Sequence, residues 1–228
     1  ILDAYLFFEN EVPASLYQAL LRKVEQTYMD MTVEQFASLF KLLKKGNPPA
    51  EIKSEIEKIY SKYFLSLFNQ MDHREVAESW ALIDYVKPAD EKVLLEKIEE
   101  RIKNNINELQ LPDLLHYTHL RVKTTGVLTG EKQNVNDSLL LDQLLPKTVY
   151  MLKRTKSTKD ALVVAKWLTA LPVNNESLIE DFVGILQTLN YSNALEYFYA
   201  TKFIEYSRDK YERLFPSCQG ALAYLESR

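Results

Sequence analysis

Apolar residues recur along this chain at spacings of three and four, and no segment alternates with the period of two that marks a strand. The clearest stripe is Leu94, Ile98, Ile102, Ile106 and Leu109, set among Glu, Lys, Arg and Asn. This predicts a helix over 90–109, buried on one side, with Asp90 as its N-cap. A wider face, Ile52, Ile56, Ile59, Tyr60, Tyr63, Phe64, Leu67 and Phe68, predicts a helix covered from more than one side. Leu16, Leu20, Val24 and Tyr28 give an earlier stripe after Pro13, which suits a first helical turn.

Start and stop signals frame shorter helices between these. Thr32 with Gln35, and Asp72 with Glu75, have the spacing of a capping box, in which two side chains satisfy backbone N–H groups reciprocally. The first opens a face of Phe36, Leu39, Phe40 and Leu43 that stops near Gly46 and Pro48. The second opens Val76, Trp80 and Ile83, ended by Pro88. Pro112 opens a helix with Leu115, Thr118 and Val122. Ser157 or Thr158 opens one with Ala161, Val164, Ala165 and Leu168, closed before Pro172. Leu178, Phe182, Leu186 and Leu189 define the next. Pro146 falls inside an apolar pattern and is expected to kink or divide that helix.

A longer helix, a capped shorter one and a Pro- or Gly-containing break therefore recur, at about 14–48, 49–88, 89–126, 138–174 and 176–210. Phe36, Val76, Leu115, Leu162 and Leu195 are the corresponding apolar positions of the shorter helices. The fold class this predicts is all-α: stacked antiparallel helix pairs, α-solenoid-like, with about ten helices. Residues 1–12 read as an N-terminal arm and 13–228 as a helical-repeat domain. A polar surface loop near 127–137, with Gly130, Asn134 and Asn136, interrupts the pattern.

Composition narrows the functional classes. At 228 residues the chain can bury a substantial core, as one elongated domain or two small ones. Five glycines leave little scope for phosphate-cradling loops, and a net charge of −4 disfavours a general nucleic-acid binder. One cysteine, Cys218, excludes an internal disulfide framework. No apolar run approaches the ~20 residues that span a bilayer. The chain opens on Ile1 rather than Met, which reads as trimming from a longer product, removal of an organellar presequence being one expectation.

"MTVEQFASLFKLLKKG" and "LPDLLHYTHLRVKTTG" each show a capped start, an apolar core and a basic end. Paired helices of this kind resemble the degenerate helical-hairpin repeats of organellar proteins, the pentatricopeptide and heptatricopeptide kinds. The resemblance covers roughly 14–210 and is one of pattern; the tetratricopeptide consensus is not matched. It implies an organellar, mitochondrial location (otherwise cytoplasmic). It also implies either RNA binding or scaffolding as an accessory subunit of a respiratory complex, ATP synthase or mitochondrial ribosome.

Candidate chemistry is sparse. His116 and His119 stand three apart with Asp113 preceding them, a spacing that could place two imidazoles on one metal, but no further ligands are evident. His73 reads as an ordinary first-turn residue, and "FPSCQGA" around Cys218 has no nucleophile signature, which suits a buried structural thiol. There is no P-loop, dinucleotide fingerprint, HExxH or Ser–His pairing, so no enzyme and no cofactor is expected. Lysines and arginines cluster at helix ends: Lys41, Lys44 and Lys45; Arg121 and Lys123; Lys153, Arg154, Lys156 and Lys159. Aligned, they would serve RNA phosphates; the simpler reading is that they complement helix dipoles.

Aromatics concentrate toward the C-terminus. Leu195, Phe198 or Tyr199, and Phe203 are expected to face the preceding helix pair, leaving Tyr197, Ile204, Tyr211 and Phe215 to point elsewhere. With Tyr5, Phe7 and Phe8 of the apolar N-terminal segment, these form the predicted contact set for other protein subunits. Packing of both ends on the chain itself is the alternative. The expected function is a non-catalytic protein-binding scaffold, with an organellar RNA-binding repeat protein second.

Overall fold

The computed structural model describes residues 12–86, 88–129 and 137–227. Among them there is no strand, and eleven α-helices follow one another. We number them α1 (Ala14–Thr27), α2 (Val33–Lys45), α3 (Ala50–Leu67), α4 (His73–Val86), α5 (Glu91–Asn105), α6 (Leu111–Thr124), α7 (Leu145–Thr155), α8 (Thr158–Ala170), α9 (Glu176–Thr188), α10 (Ala194–Lys210) and α11 (Phe215–Glu226). The all-α fold of about ten helices is thus observed. The chain divides into two compact units, Ile1–Asn105 and Ile106–Arg228, where the sequence reading draws one domain over 13–228.

In the first unit, α2 packs on α4 and α1 on α3, so a helix leans chiefly on the one two places along the chain. Its core is aromatic. Phe36 stacks on Phe40 and on Tyr63, with ring centroids 4.1 and 3.8 Å apart. Tyr60, fully buried, donates from its hydroxyl to the Ser79 carbonyl at 2.6 Å. That bond matters because a buried hydroxyl without a partner costs about 1–3 kcal/mol. Both capping boxes form: Thr32 N–H donates to Gln35 Oε1 and Gln35 N–H to Thr32 Oγ1; Asp72 N–H donates to Glu75 Oε2 and Glu75 N–H to Asp72 Oδ1.

Two details depart from expectation. The α1 stripe is turned by about one residue, with Tyr17, Leu21 and Val24 buried and Leu16, Leu20 and Tyr28 only partly so. The helix predicted over 90–109 ends at Asn105, and Leu109 is buried from outside it. The Asp90 carboxylate accepts from the Ser61 hydroxyl, tying the start of α5 to α3. From α5, Arg101 donates to the Phe68 and Met71 carbonyls, satisfying acceptors at the α3–α4 turn.

In the second unit α7 packs on α9, α8 on α10 and α9 on α11, and the consecutive helices α10 and α11 pack on each other most extensively. Pro146 does not interrupt the helical backbone but falls where its type changes. Residues Leu139–Leu144 form a π-helical turn, in which Leu145 N–H reaches back to the Leu140 carbonyl, and α7 continues from it with proline in its first turn. Proline has no N–H to give to the preceding turn, and a change of hydrogen-bond register there accommodates the loss. The core here is mainly aliphatic around Trp167 and Phe182, and Thr118 meets Thr148 through hydroxyls 3.2 Å apart.

α11 lies beyond the last predicted helix pair. Its Cys218, Ala221 and Leu225 join the core that holds Ala200, Phe203 and Ile204 of α10. Of the interrupting loop, Val127–Thr129 is a single 3₁₀ turn, while Gly130, Asn134 and Asn136 lie outside the described residues.

Candidate functional site

The rotation of α10 decides which side chains of the C-terminal region meet solvent, and its first turn is capped. Asn193 accepts from Glu196 N–H at 3.0 Å, and the Glu196 carboxylate accepts from Ser192 N–H at 2.8 Å. Reciprocal bonds of this kind lock the entry of a helix. Ala200, Phe203, Ile204 and Ser207 then point inward, with Phe203 edge-on to Phe182 at 5.1 Å.

The opposite face is apolar and uncovered. Leu195 is 60% exposed, Phe198 49% and Tyr199 53%. Their spacing of three and four makes one contiguous row. Phe198 and Tyr199 rings stand 5.8 Å apart, and Lys202 Nζ lies 5.7 Å from the Phe198 centroid while bonding Glu205 at 2.6 Å. Each of these side chains is already about half covered, so removing the rest from water is worth roughly half of the ~1.5–3 kcal/mol for full burial.

The predicted orientation holds only in part: Phe203 faces inward as expected, whereas Leu195 and both alternatives offered beside it, Phe198 and Tyr199, are outside. Ile204 is 0% exposed and Tyr211 is buried with its hydroxyl on the Val173 carbonyl at 2.7 Å, so neither is available for contact. The cause is α11, which supplies an inner neighbour on the side that holds Ile204. Tyr197 is partly buried, edge-on to Tyr191 at 6.0 Å, and Phe215 is 49% exposed. Tyr5, Phe7 and Phe8 lie outside the described residues. Among the proposed corresponding positions, Phe36 and Val76 are buried, Leu115 and Leu162 partly buried, and Leu195 exposed. The aromatic density of α10 concealed this, because an apolar residue stands on every side.

The basic residues divide by role. Arg121 is not available to phosphates: its guanidinium pairs with Asp137, both largely covered, and Asp137 also accepts from Leu140 N–H at 3.1 Å. Lys153 lies 3.8 Å from Asp181 across α7 and α9. Lys156 ends α7 with φ 51°, a left-handed cap donating N–H to the Leu152 carbonyl. Lys123, Arg154 and Lys159 are exposed in the second unit and Lys45 in the first; the side chains of Lys41 and Lys44 lie outside the described residues.

His116 and His119 are both exposed, and the Asp113 carboxylate accepts from Gln110 N–H at 3.2 Å as a helix cap. Among the described residues no group of three or more His, Cys, Asp or Glu side chains could hold a metal. His119 stands 6.0 Å from the Trp167 ring; burial, then Lys123 and Lys166, push its pKa below the usual value. His73 is the first residue of α4. Cys218 is buried, and burial raises its thiol pKa. A groove of about 380 Å³ runs between α7 and α9, lined by residues including Val149, Tyr150, Lys153, Asp181 and Ile185, with its charged pair already matched.

No helix among the described residues is long and apolar enough to cross a membrane. No family model, curated protein or solved structure matches the chain.

Proposed function

We propose that this chain is a non-catalytic protein-binding scaffold, an accessory structural subunit of a large mitochondrial assembly of the respiratory-complex, ATP-synthase or ribosome type. The observation that carries the reading is the outward row of Leu195, Phe198 and Tyr199 on a helix whose other face is fully packed. A row held this rigidly by a reciprocal cap is preorganised, so a partner gains the burial without ordering the surface first. The acidic balance of the chain and the occupied state of Arg121 weigh against a general polyanion binder. A second reading, RNA binding, draws on Arg154, Lys156 and Lys159 around the α7–α8 turn.

The test is isolation of the native protein at moderate ionic strength, with and without nuclease. The scaffold reading expects a defined, stoichiometric set of proteins that survives nuclease. Recovery with transcripts, abolished by nuclease, overturns it in favour of the second reading.

A further inference from the structure

The row on α10 has a cationic border, and the border identifies the partner's chemistry. On α8 the inward positions are Ala161, Val164, Ala165 and Leu168, so Lys159, Val163 and Lys166, spaced four and three apart, occupy the outward face, and all three are exposed. α8 packs directly on α10. The side of α10 that faces α8 is marked by Tyr206, whose hydroxyl donates to the Thr169 carbonyl at 3.2 Å. Leu195 and Tyr199 stand on that same side of α10, eleven and seven residues before Tyr206. α6 borders α8 at His119, whose ring lies 6.0 Å from that of Trp167, and burial followed by Lys123 and Lys166 lowers the His119 pKa.

The acidic groups nearby are mostly engaged. The Glu196 carboxylate holds the start of α10 and Glu205 pairs with Lys202. Asp160 remains in the first turn of α8, partly buried. On a chain whose net charge is −4, this outward face of α6, α8 and α10 is locally positive around an apolar centre.

We propose that this face docks an acidic amphipathic helix of a partner protein. The proposal rests on the scaffold reading and names its ligand. Leu or Phe side chains of the incoming helix lie on Val163, Leu195 and Tyr199, and its flanking Asp and Glu meet Lys159 and Lys166. The composition of the face separates this ligand from nucleic acid. Of its apolar members Val163 and Leu195 have no ring for a base to stack on and Tyr199 alone has one, and the lysine border offers no guanidinium for bidentate phosphate contact.

The experiment titrates the full chain into a fluorescein-labelled peptide of ~20 residues, Leu and Phe at positions i, i+3, i+4 and i+7 and Asp or Glu elsewhere, followed by fluorescence anisotropy. A scrambled peptide of equal composition and a uridine oligonucleotide are run beside it. The expected result is saturable binding that weakens with salt. Both the K159E/K166E pair and the L195S/Y199S pair should weaken it by about tenfold or more. These side chains are exposed, and unchanged circular dichroism and melting confirm that the variants fold. Absence of saturable binding, equal binding of the scrambled peptide, or wild-type affinity in both pairs overturns the proposal. So does tighter binding of the oligonucleotide that is lost in the lysine pair. If K159E/K166E still enters the native assembly while the peptide fails to bind, this proposal falls and the scaffold reading stands.

Discussion

The two units use aromatic residues in opposite ways. In the first, Tyr17, Phe36, Phe40, Tyr60, Tyr63, Phe64 and Trp80 are buried, and the large apolar side chains left exposed among its described residues are Met29, Leu65 and Val93. In the second, the interior is built mainly from Leu, Ile, Val and Ala around Trp167, Tyr117, Phe182 and Phe203, while Tyr150, Phe198, Tyr199, Phe215 and Tyr224 stand outside. An interior of stacked rings is a means of holding helices together. Rings placed outside a complete aliphatic interior contribute little to that, and their free energy is available to a partner.

Substitutions break or sharpen the contrast, and the largest effect belongs inside. Phe36→Ala removes a ring that stacks on two others and should cost about 3–5 kcal/mol in denaturant unfolding of the full chain. Tyr199→Ala should stay within about 0.5 kcal/mol in the same measurement. A cost above about 2 kcal/mol for Tyr199→Ala would show that the outer row serves this chain and not a partner.

Tyr211→Phe comes next, because it strands the buried Val173 carbonyl; about 1–3 kcal/mol should be lost. If the outward orientation first expected for Tyr211 were right, the substitution would be silent. Thr32→Ala removes one half of a capping box and should cost about 1 kcal/mol. Lys156→Gly acts in the other direction, relieving a left-handed residue with a Cβ at the end of α7; a gain of about 0.5–1 kcal/mol is expected by thermal or chemical unfolding.

The smallest effect is electrostatic. His119 is held below its ordinary pKa by burial and by Lys123 and Lys166. The unfolded chain therefore takes up the proton first as pH falls. The contribution of His119 to stability is present above its unfolded pKa of about 6.5 and is lost as pH drops through the folded value. Lys166→Gln should raise the His119 pKa in an NMR titration; no change would show that Lys166 does not act on His119.

Much of this was legible from residues alone, and the reasons are local. Thr32 with Gln35, Asp72 with Glu75, and Ser157 act through bonds that span three residues, so their effect is complete within the segment that encodes it. Pro146 marked an irregularity because a missing N–H acts on the immediately preceding turn, which is π-helical, though the helix runs on through it. Leu94, Ile98 and Ile102 were read correctly because their helix has a single apolar side. α10 was not legible. With Leu195, Phe198, Tyr199, Phe203 and Ile204 on all its sides, periodicity cannot choose a buried face, and the choice is made by α11, a neighbour outside the predicted pairs. Arg121 was misjudged for a related reason. Its partner Asp137 lies 16 residues away along the chain and beyond the end of α6, so charge spacing along one helix could not reveal it.

The central claim is that Leu195, Phe198 and Tyr199 are an attachment surface, not part of the fold. Replacing all three with Glu in the native host and resolving the complexes by blue-native electrophoresis tests it directly. The account predicts that the purified variant melts like the wild type but migrates as a free subunit, the wild type running in a large assembly. A variant that still co-migrates with that assembly, or a wild type that migrates alone, would contradict it.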